Sequence, residues 1–344
     1  MYAFVRFVFF RVTSPLAVVA FVALASPVAA SGHIRTSVVA VDDRVVVFSL
    51  PAPVRSAVSA RVFESDQALG LTAKRGHAVV VLGYTGEPFL RIDAEGVAVN
   101  AASPTAAAVG LLRPTQSSVG RAPDWRLRSS RRTAVWQDAR LRSLPPGVSH
   151  SEWRIPLLVD GRRVRLEGEI RRVPAPSPWP WLGLGLPFVV AAALLLSRYR
   201  SQLRGAVVGL GVAAAAGTLA TATAFAMGAD AGPNASTGRW IEGGYEVAFV
   251  LVGLAVVAFG PATARPIAGG ALGLLGLAVG LTKLPVFLHG VVLSPVPAAV
   301  ARASVLLAIS AGFAAATVGV AVFFELLESP DEALARYRQI GRPS

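Results

Sequence analysis

The residues able to do chemistry in this chain are few, and the most isolated of them is Lys283. It is the only lysine after Lys74, and it follows Gly276 and Gly280 at spacings of four and three, so all three share one helical face. Glycines so spaced mark close approach of a neighbouring helix, which turns Lys283 into a bundle and away from lipid. Glu242 and Glu246, one turn apart in the preceding apolar segment, are its natural counterions, and His289 lies beyond it. An ionised side chain in hydrocarbon costs at least about 2.5 kcal/mol. Two readings follow. Either Glu246 and Lys283, with Glu242 and His289 nearer the surface, form a polar cluster for ion, proton or ligand contact, or the charges are an internal ion pair that fixes helix register or snorkels to the interface.

A second arrangement depends on processing. Cleavage after Ala30 would leave Ser31-Gly32-His33 as a new terminus. A free amine, two deprotonated amides and an imidazole at the third position close a square-planar nitrogen set, the geometry that suits Cu(II). With four histidines, two methionines and no cysteine, the chain has no Met- or Cys-rich site for Cu(I), no disulfide and no Cys nucleophile. Copper(II) is therefore the one cofactor the sequence suggests.

A third group, Tyr84, Glu87, Trp136, Asp138 and Arg140, concentrates aromatic rings and charges at expected strand ends. It reads as a recognition surface, or as a core tryptophan beside a local Asp–Arg ion pair. There is no GxSxG, HExxH, P-loop or GxGxxG. The expectation is a protein that is not an enzyme, with membrane catalysis through the polar cluster as the alternative.

The elements that must position these groups divide the chain in two. Of all residues 53% are hydrophobic and 15% charged, with a mean hydropathy of +0.57. That is far from a soluble domain, where about a quarter are charged. Residues 1–30 read as a signal peptide, with Arg6 and Arg11 before an apolar run and small residues Val28 and Ala30 at the cleavage positions. A retained anchor is the alternative. Residues 31–173 hold no apolar run long enough to span a bilayer and instead show short alternating stretches, about seven strands at 45–48, 58–63, 78–82, 89–92, 97–99, 153–159 and 164–171. In the last, Val164, Leu166 and Ile170 face one side and Arg165, Glu167, Glu169 and Arg171 the other, and Asp160-Gly161 supplies a tight hairpin turn. This predicts an exported, all-β, immunoglobulin-like sandwich. Residues 117–132, rich in Arg, Ser and Gly, read as a long loop.

A Pro-rich linker at 174–180 ends in interfacial tryptophans, and five apolar segments follow near 181–197, 205–227, 240–260, 266–292 and 300–326. This predicts an all-α bundle of five transmembrane helices. A sandwich outside the plasma membrane places Arg198, Arg200, Arg204, Arg265, Arg336, Arg338 and Arg342 on the cytoplasmic side, as the positive-inside rule requires. Ser329-Pro330-Asp331-Glu332 reads as the start of a short cytoplasmic helix in the tail at 328–344.

The net charge is +13, of which the exported segment carries +8. Its expected partners, besides the bilayer, are an envelope protein, anionic headgroups or a cell-wall polymer. Nucleic acid does not fit that compartment. The alternative is a solvated face rich in arginine.

The closing hairpin and the order of parts resemble a known arrangement. Trp153-Arg154, then Val159-Asp160-Gly161, then Val164 and Gly168, followed by a polytopic bundle, looks like copper-resistance proteins in which a CopC-type sandwich is fused to or paired with a CopD-type membrane domain. The resemblance implies a sandwich fold and a copper-ligating histidine near the mature terminus, which His33 would supply. In that family a histidine follows the hairpin Asp-Gly, and here Arg162 stands in its place. The layout is also similar to that of uncharacterised actinobacterial polytopic membrane proteins. Three functions are thus open: an interaction or scaffold module for an envelope partner, a component of extracytoplasmic copper handling or transport, and a membrane enzyme.

Overall fold

The structure is a computed structural model describing residues 38–48, 50, 52–63, 68–111, 122–226 and 235–340; for 52–53, 235–239 and 327–340 it gives the backbone alone. Strands β1 (Ala40–Val41), β2 (Asp43–Val47), β3 (Val58–Phe63), β4 (Ala68–Ala73), β5 (Val79–Leu82), β6 (Pro88–Ile92), β7 (Val97–Asn100), β8 (Trp125–Ser129), β9 (Thr133–Gln137), β10 (His150–Val159) and β11 (Arg162–Arg172) come first. Helix α1 (Ala52–Ala57) precedes β3, and α2 (Pro104–Ala108) follows β7. Two antiparallel sheets form a sandwich. One holds seven strands in the order β2-β11-β10-β5-β6-β7-β8 and the other three, β3-β4-β9. The smallest immunoglobulin-type sandwiches divide their strands more evenly, four and three.

The β10–β11 hairpin is built as its sequence demands. Val159 pairs with Arg162 across a two-residue turn, and Asp160 and Gly161 have φ of 50° and 78°. Both central residues of such a turn need positive φ, which Asp tolerates and Gly adopts freely. Leu157, Leu166 and Ile155 are fully buried, as are Leu69 and Leu71 of the opposing sheet, and an edge-to-face contact at 5.9 Å between Phe89 and Trp136 bridges the two layers. Gly168 is required in the middle of β11, because a Cβ there would meet the Val46 carbonyl and the Trp153 ring.

More strands exist than alternation alone revealed. The segment expected to be a loop contains β8, an edge strand whose Arg126, Leu127 and Arg128 are all exposed. A strand solvated on both faces has no apolar period to read. Strand β4 fails for the opposite reason: it is central and buried almost throughout.

Five long apolar helices follow: α3 (Trp179–Arg198), α4 (Leu203–Ala226), α5 (Ala235–Phe259), α6 (Ala264–Thr282) and α7 (Ala298–Ile340). All five are long and apolar enough to cross a membrane, and the protein is an integral membrane protein. Helices α4, α6 and α7 meet backbone to backbone. A Cβ on Gly217 would press on Ala308, one on Gly273 on Ala315 and Gly312, and one on Gly319 on Gly270. Such contacts replace the missing hydrophobic drive between helices in lipid with close packing. Helix α3 leans on α7, and α5 on α4 and α6.

Two expected boundaries are corrected. The fourth apolar segment is not a helix to residue 292. It stops at Thr282, then forms a 3-10 turn (Leu284–Phe287) and a strand, β12 (Val291–Val292). Pro285 disfavours helical geometry in the residue before it and brings no N–H of its own. At the other end, Ser329-Pro330 opens no new helix, because the backbone of α7 continues to Ile340. Extending an existing helix needs no new nucleus, which offsets the single backbone bond lost at Pro330.

Candidate functional site

Lys283 caps the C-terminus of α6 and is 4% exposed. Its Nζ donates to Glu242 Oε1 at 2.6 Å and lies 5.9 Å from the centre of the Phe225 ring. On the same face, Gly276 abuts Ala214, Ala308 and Thr218, and Gly280 abuts Ile309. Of the two expected counterions, Glu242 makes the ion pair with Lys283. Because α6 ends at Thr282, Lys283 stands level with the turn of α5 that carries Glu242, one turn closer to the sandwich than Glu246. Glu246 lines the same small cleft, together with Ala222, Phe225, Ala226 and Gly243. His289 is not in this cluster; its Nδ1 pairs with Asp42 at 2.9 Å, at the base of the sandwich.

That pair belongs to a junction that sequence reasoning did not find. Strand β12 pairs antiparallel with β1, Ala40 with Val292 and Val41 with Val291, and the Leu293 N–H continues the ladder to the Val39 carbonyl at 2.9 Å. The Val173 N–H donates to the Asp42 carbonyl at 2.7 Å, and Gly290 lies so close to the Val173 carbonyl that no side chain would fit. Trp181 meets Phe287 edge on at 5.6 Å. Underneath, Val39, Ala40, Phe225, Val286, Val292 and Val305 share one apolar cluster.

Arg302, in the first turns of α7, holds the β12 loop in place. It is buried, and its guanidinium donates to the carbonyls of Val286 at 2.7 Å, His289 at 3.0 Å and Gly290 at 3.1 Å. In the sequence it reads as a loop charge. The available signal was its position inside an apolar run, where an arginine is expensive unless it is paired.

The third predicted group does come together, with its polar atoms turned on one another. Trp136 Nε1 donates to Asp138 Oδ2 at 2.9 Å, and Arg140 bonds both Asp138 oxygens, Nε to Oδ1 at 2.8 Å and Nη2 to Oδ2 at 2.7 Å. Burial acts to raise the Asp138 pKa, but the bonds and charge of Arg140, its backbone N–H and the Trp136 indole prevail and hold it below the usual range. The Arg140 guanidinium lies 5.1 Å from the Tyr84 ring centre, and the Tyr84 hydroxyl accepts from the Ala139 N–H at 2.9 Å. Glu87 accepts from the Ser103 and Thr85 hydroxyls, each at 2.7 Å, and from the Thr105 N–H at 3.2 Å. Partial burial acts to raise the Glu87 pKa, but these donors override it and bring it to about 2. The group braces the β5–β6 turn against α2 and β9, and Trp136 is a core residue at 3% exposure.

The opposite end of the sandwich has a different character. The register of β11 places Arg172 beside the membrane helices and Arg162 at the far end. Following the ladders around both sheets, the turns β4–β5, β6–β7, β8–β9 and β10–β11 and helix α1 all gather at that far end. They carry Arg55, Lys74, Arg75, Arg131, Arg132, Arg162 and Arg163. The acids there are occupied: Asp93 and Glu95 pair with Arg91 at 2.8 and 3.2 Å, and Asp160 pairs with His77 at 2.7 Å. The Ala78 N–H first, and His77 second, hold the Asp160 pKa below its ordinary value, so it stays ionised and committed. Arg132 donates to the carbonyls of Lys74 and His77, and Lys74 Nζ to that of Arg55 at 2.6 Å, which ties the turns together. Arg75, Arg131, Arg162 and Arg163 are exposed and have no ion pair among the described residues.

Ser31, Gly32 and His33 lie outside the described residues. Among the described residues no three His, Asp or Glu side chains converge as metal ligands. No family model, no curated protein and no solved structure matches this chain.

Proposed function

We propose that this is a multi-pass plasma-membrane protein whose sandwich stands on the extracytoplasmic side and serves as an interaction module, docking an envelope component through the end remote from the bundle. The observation that carries this reading is the asymmetry of the sandwich. Its base is clamped to the bundle by the β1–β12 pairing, the Val173 and Asp42 backbone bond and the Arg302-held loop. Its far end presents four exposed arginines that form no ion pair among the described residues, although Arg162 lies within the field of Asp160. A rigid mount with a free charged end suits presentation to a partner better than turnover of a substrate. Arg198, Arg200 and Arg204 around the α3–α4 connection and Arg265 at the start of α6 support the orientation, because positive charge flanking the spans is retained in the cytoplasm.

The chain contains no cysteine, so a single introduced cysteine is a unique chemical handle. In intact cells, a membrane-impermeant maleimide is expected to label Arg163→Cys and to leave Arg204→Cys unlabelled until the membrane is opened. The reverse pattern would reject the orientation. A photoactivatable crosslinker on the same Arg163→Cys is expected to yield a discrete adduct, and failure to form one at any far-end position would reject the docking role.

A further inference from the structure

We infer that the far end of the sandwich is a binding site for a linear, phosphate-bearing polymer of the envelope, which passes over Arg75, Arg131, Arg162 and Arg163. This deepens the docking role proposed above and rests on it.

The turns at 74–78, 93–96, 130–132 and 160–163 contain no exposed large apolar residue; the nearest, Leu127, lies on the edge strand β8 below its turn. A stable protein–protein interface is centred on buried aromatic or aliphatic anchors, with charges at the rim. Here there is a rim of charge and no centre. Binding of single-stranded nucleic acid uses aromatic platforms on which bases stack, and these turns have none. The anionic headgroups of the protein's own membrane are out of reach. Strand β11 runs 11 residues from the junction to the site, about 33 Å at the usual rise, against a Debye length of about 8 Å in physiological salt.

What the site does have is guanidinium groups arriving from three separate turns. Arg162 and Arg163 are adjacent in a strand and so project to opposite faces, which spreads the charge across the end of the sandwich and builds no pocket for a point anion. A chain laid over the end meets several of them in succession. A phosphate offers oxygens in several directions and can be shared by forks from different turns, whereas a carboxylate presents one planar edge that a single fork fills. The local acids are engaged: Arg91 holds Asp93 and Glu95, and the His77 ring and the Ala78 N–H hold Asp160, whose charge also reaches Arg162.

The test uses the full-length protein in nanodiscs of zwitterionic lipid and labelled short-chain polyphosphate as probe, read by anisotropy. Each arginine at an anionic surface is worth about fivefold. Replacing Arg75, Arg131, Arg162 and Arg163 together by Gln is therefore expected to weaken binding at least about 25-fold, counting only two as engaged. The slope of log affinity against log salt should become shallower by about 1.4 with two arginines engaged and by about 2.8 with four, at about 0.7 for each phosphate neutralised. Replacing Arg126, Arg142, Arg154 and Arg171 instead is expected to change affinity by less than about threefold, although it removes the same net charge from the same domain. The variant with lysine at the four far-end positions, which keeps the charge and loses the fork, should fall between wild type and the Gln variant. Equal losses in the two Gln variants would overturn the site. Tighter binding of oligothymidylate than of polyphosphate at matched charge would assign it to nucleic acid, and polyglutamate binding as well as polyphosphate would assign it to acidic protein; either result overturns the inference. If the far-end crosslink described above survives while polyphosphate fails to bind, the docking role stands and only this ligand chemistry falls.

Discussion

Arg302 offers the sharpest test of how the sandwich is mounted. Arg302→Met keeps most of the side-chain volume and removes three charge-assisted hydrogen bonds, to Val286, His289 and Gly290. Bonds of this kind contribute about 1.5–3 kcal/mol each in the gross. Removing the buried charge returns part of that, since a guanidinium is costly to desolvate. The expected net loss is about 3 kcal/mol, most of it the three carbonyls left without a donor. The loss is local, because these carbonyls belong to the loop that delivers β12 to β1. Opening of the junction should therefore become about 100-fold more frequent. Hydrogen exchange on the full-length protein in nanodiscs reads this directly. Protection of the Leu293 and Val173 amides, which donate to Val39 and Asp42, should fall by about that factor. The amides that pair β10 with β11 should be unchanged. Arg302→Lys, which retains the charge but cannot reach three carbonyls at once, should fall between the two. Unchanged exchange at Leu293 and Val173 would refute the assignment, and a uniform loss across the whole sandwich would show that Arg302 supports the fold at large and not the junction.

Three further outcomes follow from the geometry. Glu242→Gln strands the buried Lys283 ammonium and should destabilise the bundle by about 1–3 kcal/mol, discounted from the fully buried range because Glu242 is 41% exposed. Lys283→Met combined with Glu242→Gln should be milder than the sum of the singles, and Glu246→Gln, which lines the same cleft without bonding Lys283, should couple to Lys283→Met more weakly than Glu242→Gln does in detergent-unfolding cycles. Glu87 has a folded pKa of about 2 against an ordinary 4.5, so its stabilising contribution is complete above about pH 4.5 and is lost as the pH falls towards 2. Glu87→Gln should lower the sandwich's unfolding midpoint at pH 7 to 8, where the contribution is complete, and flatten its acid dependence between about pH 4.5 and 2; an unchanged acid limb would show that the bonds to Ser103, Thr85 and Thr105 do not set it. Gly168→Ala should destabilise the sandwich by about 1–3 kcal/mol, because the added methyl meets the Val46 carbonyl and the Trp153 ring, as thermal unfolding would report.

The features legible in the sequence were those whose physics is local. Asp160-Gly161 announces its turn because two consecutive residues must take positive φ, and the alternation from Val164 to Arg171 announces a half-buried strand because every second side chain is wet. Span length is equally local, set by the bilayer. What stayed hidden depends on partners far along the chain. Val291 and Val292 are a strand only because Ala40 and Val41 pair with them, and in isolation they read as the tail of an apolar helix. Arg302 looks like a loop charge until the carbonyls of Val286, His289 and Gly290 surround it. The polar cluster was legible in composition, but which of its two glutamates bonds Lys283 was not, because where α6 stops decides which one stands level with it. Trp136, Asp138 and Arg140 illustrate a different limit: the sequence left two readings, a recognition surface and a core tryptophan beside a local Asp–Arg ion pair, and only their packing decides for the second.

The central claim is that the protein meets its envelope partner at the end of the sandwich farthest from the bundle. A single-cysteine scan along the wet face of β11 in intact cells tests it most directly, with a short photocrosslinker placed in turn at Arg163, Arg165, Glu167, Glu169 and Arg171. Adduct yield is expected to be highest at Arg163 and to decline steadily towards Arg171, beside the junction. A flat profile, or one that peaks at Arg171, would contradict it.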